Sequence, residues 1–146
     1  MWFKIFISVI VMSVVTSVTA QSELLIKSLI EKESGGDNRA FNEKENAIGC
    51  LQIRPGYFQD AQEWDSSLKG FSHEDCYDRD VAIRVFMAYM GRYAKGATDE
   101  VIAARHNGGP KGEKKKAAQA YARDVKAIMK NGGTKPKPSK GKKGKK

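Results

Sequence analysis

The spacing of apolar positions changes from segment to segment along the chain, and each spacing predicts an element. Leu24, Leu25, Ile26, Leu29 and Ile30 recur at helical intervals, which predicts a helix over residues 22–33 with Ser22 as its N-cap. A polar loop rich in Gly, Asn and Asp follows, then a short apolar run over 47–53 that reads as a small strand or hairpin. Pro55 suits the first turn of a helix ending near Trp64, because the N–H it lacks has no partner there anyway. The longest helix is expected over 78–94. Val81, Ile83, Val85, Phe86, Met87, Tyr89, Met90 and Tyr93 cover so much of its circumference that it reads as the buried central helix. Thr98 caps a further helix, with Asp99 and Glu100 at the positive end of its dipole, and the run His106-Asn107-Gly108-Gly109-Pro110 stops it. A last helix is expected over 115–129. No internal repeat is present, and the pattern as a whole describes a mainly α domain with a small β element.

The first residues follow a different logic. Lys4 gives a basic start, residues 5–18 form an apolar run, and Val18-Thr19-Ala20 is a small-residue cleavage site. Residues 1–20 therefore read as a secretory signal peptide. The apolar run is too short to span a bilayer, which takes about 20 residues. Gln21 instead of Cys after the site speaks against a lipid anchor. The expected product is secreted or periplasmic, with no transmembrane segment once the leader is removed, and residues 21–130 form one domain. Export also makes Cys50 and Cys76 candidates for a disulfide. With His73 and His106 they show no metal-ligand spacing, so neither a metal nor a cofactor is expected.

The formal net charge of +9 suggests a polyanion binder until it is located. The eight lysines between Lys130 and Lys146, with no acid among them, account for +8 of it. Residues 131–146 thus read as a disordered Lys-rich tail, and the basicity says nothing about the fold. Such a tail can bind anionic polymers of a cell envelope. With no aromatic residue between its lysines it has no stacking platform for single strands, so no specific nucleic acid is expected.

The most informative position is Glu33. With 100° per residue, Ile26 lies about 20° from it, Leu29 about 40° and Ile30 about 60°, while Glu31 lies about 160° away. One acid faces the apolar stripe and its neighbour faces solvent. Burial and the negative end of the helix dipole both oppose ionisation, so the carboxyl is expected above its ordinary range, where it can hold a proton as a general acid must. The alternative is a helix that frays before Glu33 and leaves the carboxylate in water.

The neighbouring residues bear on that choice. Glu33-Ser34-Gly35-Gly36-Asp37, then Ala47-Ile48-Gly49-Cys50-Leu51-Gln52-Ile53-Arg54-Pro55, Ala104-Arg105-His106-Asn107-Gly108-Gly109-Pro110 and Ala120-Tyr121-Ala122-Arg123-Asp124-Val125 stand in the order of the soluble lytic transglycosylase catalytic domain. The chain resembles that family, within the lysozyme-like superfamily, over about residues 23–130. Its second half is also similar to invertebrate-type lysozymes. The resemblance implies an α+β lysozyme-like fold, a helical domain with a small β-hairpin region flanking the active-site cleft. It implies peptidoglycan glycan strands as substrate; the enzyme is expected to be a monomer. Glu33 would be the catalytic acid, Gln52 would line the sugar cleft, Asn107 would face the scissile bond, and Tyr121 would place its hydroxyl near Glu33. Ser34 would shape the helix exit. The chain departs from the family pattern at Cys50 and Leu51, and at Arg54, which replaces a common Met. The serine expected before Gln52 falls on Asn42 or Glu43.

Three functions stay open at this point. A lytic transglycosylase uses Glu33 alone and releases 1,6-anhydromuramoyl ends. A hydrolytic lysozyme adds a second carboxylate, for which Glu43 and Glu45 are candidates. A non-catalytic glycan-binding module with a polyanion-binding tail would use neither.

Overall fold

The computed structural model of the protein describes residues 23–137. The predicted leader, its cleavage site and Ser22 lie outside the described residues, as do residues 138–146 of the tail. Among the described residues, helix α1 covers 23–34, and a two-stranded antiparallel hairpin follows, β1 (Phe41–Asn42) and β2 (Ala47–Ile48), paired as Phe41 with Ile48 and Asn42 with Ala47. The helices α2 (Pro55–Trp64), α3 (Arg79–Tyr93), α4 (Asp99–Gly108) and α5 (Lys116–Lys130) complete the domain, with short 3-10 turns at Ser66–Leu68, His73–Tyr77 and Gly112–Lys114. The architecture is mainly helical with one small hairpin, as the sequence pattern implied. No helix among the described residues is long and apolar enough to cross a membrane.

Local chemistry sets the boundaries. Arg54 precedes α2 in an extended conformation and Pro55 opens it. The Asp78 carboxylate accepts the N–H groups of Asp80 and Val81 at the start of α3, and the Thr98 hydroxyl accepts from Val101 at the start of α4. Gly35, at φ +62°, ends α1 with its N–H on the Glu31 carbonyl at 3.2 Å. Helix α1 therefore does not fray before Glu33; the carboxylate sits in a closed last turn.

The core runs between these helices. Leu25, Leu29 and Ile30 of α1 pack with Ile48, Leu51 and Ile53 of the hairpin segment, with Tyr57, Phe58 and Ala61 of α2, and with Val85, Phe86 and Tyr89 of α3. From α5, Ala118, Tyr121, Ala122 and Val125 close it at helical spacing. Truncating Leu29 to Ala in such surroundings costs about 2–5 kcal/mol.

Helix α3 corrects one expectation. Met87 does not join the core but is 52% exposed, because it shares a solvent stripe with Asp80 and Arg84. Two glycines allow backbones to meet where a side chain has no room. A Cβ on Gly49 would lie 2.0 Å from the Cys76 carbonyl oxygen, and one on Gly112 would lie 2.0 Å from that of Ala104. The first contact seats the hairpin on the turn before α3; the second seats the Gly112–Lys114 turn on α4.

The described part of the tail also departs from expectation. Residues 131–135 fold back instead of leaving the domain. Gly132 (φ +70°) donates to the Met129 carbonyl and Gly133 (φ +83°) to that of Ile128, which together close a Schellman turn on α5. Lys27 of α1 then donates to the Gly132 carbonyl at 3.0 Å, and the Lys135 N–H reaches the Glu31 carboxylate at 3.3 Å. Capping satisfies carbonyls that the composition of the tail, read alone, leaves out of account.

Candidate active site

Glu33 leaves the last turn of α1 with its side chain 18% exposed, neither in open solvent nor sealed in the core. Two residues from other helices meet it. The Tyr121 hydroxyl of α5 donates to Glu33 Oε1 at 2.7 Å, and His106 Nε2 of α4 lies 3.5 Å from the same oxygen. The Tyr121 ring is held from outside by Lys32, which bridges to Asp124 at 2.7 Å and lies 5.8 Å from the ring centroid. Neighbouring Ser34 serves the backbone: its hydroxyl meets the Ile30 and Cys50 carbonyls at 3.2 and 2.9 Å and accepts the Gly36 N–H. Acid and serine thus divide the helix exit between them, one facing the site and the other fastening the loop.

The hairpin and the end of α4 lie on either side of Arg54. Its Nε donates to Glu45 at 3.2 Å, in the β1–β2 turn, and its Nη2 donates to the Asn107 backbone carbonyl at 3.2 Å. Gln52 sits at φ +49° and its amide nitrogen donates to the Ala40 and Gly49 carbonyls at 3.3 and 3.0 Å, so it braces the hairpin from within. Gln52, expected to line the sugar cleft, thus has its side-chain nitrogen occupied by backbone carbonyls. Glu43 and Glu45 are both exposed, and of the two only Glu45 is tied through Arg54 to the neighbourhood of Glu33.

The electrostatics overturn one expectation. Burial does push the Glu33 carboxyl up, and is the largest single influence on it. The hydrogen bond and charge of His106, the Tyr121 hydroxyl and the Arg54 guanidinium together outweigh it and hold the group below its ordinary range. The expectation of a raised carboxyl followed from burial and helix dipole alone; it left out the Tyr121 hydroxyl, which the family resemblance had placed there, and had no sign of His106 and Arg54 as partners. Conversely, burial and then the Glu33 charge drive the Tyr121 hydroxyl far up, so it is a donor at any working pH.

His106 and Arg54 are the residues that sequence reasoning missed. In the sequence Arg54 stands out only as a departure from a family pattern, and His106 only as part of a helix stop and as a histidine without metal-ligand spacing. His106 was nonetheless detectable: it lies one turn from buried Ala103 on the inner face of α4, where a polar residue needs an explanation just as Glu33 did. Its companion Tyr57 is buried in α2, and its hydroxyl lies 3.1 Å from His106 Nδ1.

The disulfide expected between Cys50 and Cys76 is not formed; both are free, fully buried thiols. Burial raises both, Cys76 to about 12, so they pack as small neutral groups of low reactivity.

An acid in the last turn of a core helix, with a tyrosine hydroxyl from the final helix and a histidine on its carboxylate oxygen, is an arrangement able to give and take a proton. Comparison with known proteins agrees: residues 16–129 match the transglycosylase SLT domain. The chain belongs to that family, whose substrate is peptidoglycan. It is also 28% identical over 125 residues to invertebrate-type lysozyme 6 of Caenorhabditis elegans, covering 77% of this chain and 90% of that protein.

Proposed function

We propose that the protein is an exported lytic transglycosylase that cleaves the MurNAc–GlcNAc bond of peptidoglycan with Glu33 as general acid and then base. The observation that supports this reading is the Glu33 carboxyl itself, largely shielded at a helix end and gripped by Tyr121 and His106 while part of it still meets solvent. In the first step Glu33 gives its proton to the glycosidic oxygen as the C1–O bond breaks and C1 gains oxocarbenium character. In the second the carboxylate takes the proton of the substrate's own 6-hydroxyl as O6 bonds to C1, which closes the 1,6-anhydro ring and returns the proton to Glu33. Because the free carboxyl lies below its ordinary range, the acid step requires bound sugar to displace the remaining water, which strengthens the one influence that raises it. Gln52 Oε1 accepts from a sugar N–H or hydroxyl, and Asn107 lies along the same strand of glycan.

Glu33→Gln is nearly isosteric and keeps the fold. It lowers cleavage of purified sacculi by about 10²–10⁴-fold, the usual worth of general acid–base catalysis. Retention of full activity would falsify the assignment. Mass analysis of the released ends identifies the product, since an anhydro end is lighter than a reducing end by one water.

The second reading is hydrolysis, favoured by the Arg54 link that brings Glu45 toward the site. It puts water in place of the 6-hydroxyl and yields reducing ends. Saturable binding with no new ends returns a glycan-binding module. For the tail, the lysines beyond residue 137 are assigned to anionic envelope polymers. Truncation after residue 137 spares the turn that docks on α1, and weaker, less salt-sensitive wall binding by that variant is the expected outcome.

A further inference from the structure

His106 is 4% exposed, and its two ring nitrogens meet different kinds of partner. Nε2 faces two acceptors, the Leu51 carbonyl at 3.1 Å and Glu33 Oε1 at 3.5 Å, so it carries a hydrogen. Nδ1 faces the Tyr57 hydroxyl at 3.1 Å, which donates to a bare nitrogen or accepts from a protonated one. The Tyr57 ring is stacked on Tyr89 with centroids 3.7 Å apart, and Phe86 of α3 packs edge-on to the imidazole at 5.5 Å. The rings are therefore fixed and the hydroxyl rotor is the free part. The imidazole is satisfied in the neutral and in the charged state alike, with no buried side-chain polar atom among the described residues left without a partner. In both states it rests against the same carboxylate oxygen.

We propose that His106, backed by Tyr57, is a positioning residue for Glu33: as imidazolium it holds the carboxylate oriented and charged, and as neutral imidazole it lets that carboxyl carry the proton needed for bond cleavage. The proposal rests on the assignment of Glu33 as the acid. The titratable and charged groups facing the pair are few. Tyr121 comes from α5 and Tyr57 from α2, with Tyr89 of α3 stacked behind Tyr57 and Arg54 in the segment ahead of α2. Of the two groups that rest on the carboxylate oxygen itself, the Tyr121 hydroxyl keeps its proton, whereas an imidazole can meet that oxygen either as a neutral donor or as a cation. The position of the Glu33 carboxyl agrees, since burial alone would raise it and His106 heads the influences that bring it down.

The test compares His106→Gln and Tyr57→Phe with the wild type in two measurements: a carbon-13 titration of the Glu33 carboxyl in the free protein, and kcat and KM on sacculi across pH. In His106→Gln the carboxyl titration and the alkaline limb of kcat both move to higher pH. KM is expected to be unchanged because the imidazole, 4% exposed, is too buried to make contact with a ligand. Tyr57→Phe keeps the imidazole but removes its second partner, which costs the charged form most, and so moves both curves the same way by less. Circular dichroism melts report whether each variant is folded; if His106→Gln is not, Tyr57→Phe decides. Unmoved titrations in the folded variants, with Glu33→Gln inactive, overturn this proposal alone. Full activity of Glu33→Gln overturns the assignment on which it rests.

Discussion

Two consecutive residues of α4 face two different carboxylates. Arg105 turns outward to the Gly112–Lys114 turn, where Nε and Nη2 grip the two oxygens of Glu113 at 2.9 and 3.0 Å, and its Nη1 also holds the Tyr93 carbonyl. His106 turns inward to Glu33. Both carboxyls lie below their ordinary range, Glu113 at about 2. The causes differ. Glu113 is partly open to water and paired with a cation that never loses its charge, so its state is fixed across all ordinary pH. Glu33 is opposed by its own burial and paired with a ring that can give up its proton. A fixed partner suits a brace; a titratable one suits a group that must lose and regain a proton. A shift of one sign thus marks structure in one place and chemistry in the other, and only the partner tells them apart.

The largest expected separation between the two sites comes from Glu33→Gln against Glu113→Gln. The first removes cleavage by about 10²–10⁴-fold and leaves the melting temperature near that of the wild type. The second lowers the melting temperature and keeps cleavage; loss of cleavage in Glu113→Gln would erase the distinction. Next comes Gly112→Ala, whose methyl group meets the Ala104 carbonyl and forces the brace off α4, at about 1–3 kcal/mol of stability in denaturant unfolding. Tyr121→Phe removes a charge-assisted hydrogen bond worth about one factor of ten in kcat/KM and lets the Glu33 carboxyl rise, which the alkaline limb of the rate profile reports. Smallest is the pH dependence of the brace. Because the Glu113 carboxyl falls from an ordinary value of 4.5 to about 2 in the folded chain, its contribution is complete above pH 4.5 and is lost as pH drops toward 2. Melting curves of wild type and Glu113→Gln should therefore differ above pH 4.5, converge toward pH 2, and differ less in high salt.

Much of the frame was legible in the pattern of residues. Helix α2 begins and ends where Pro55 and Trp64 suggested, and α3, α4 and α5 fall within a residue or two of expectation. Periodicity alone set Glu33 apart from Glu31. Met87 misled because apolar character was counted without its neighbours Asp80 and Arg84, which turn that side of α3 to solvent. Cys50 and Cys76, which export makes candidates for a bridge, stand in the packed interior as two buried thiols. In the tail, composition pointed to disorder, yet Gly132 and Gly133 supply the left-handed turn that fastens residues 131–135 to α1.

The amino-acid order by itself determined the helices, the hairpin position and the acid on the apolar stripe, because these depend on residues a few places apart whose spacing is fixed by backbone geometry. Only the tertiary structure decided what that acid touches. Tyr121 reaches Glu33 across 88 positions of sequence, and His106 and Arg54 arrive on other elements. The charge state of a carboxyl is the sum of its burial and of every dipole and charge brought near it. The first can be read along one helix, and the rest exists only once the helices have packed.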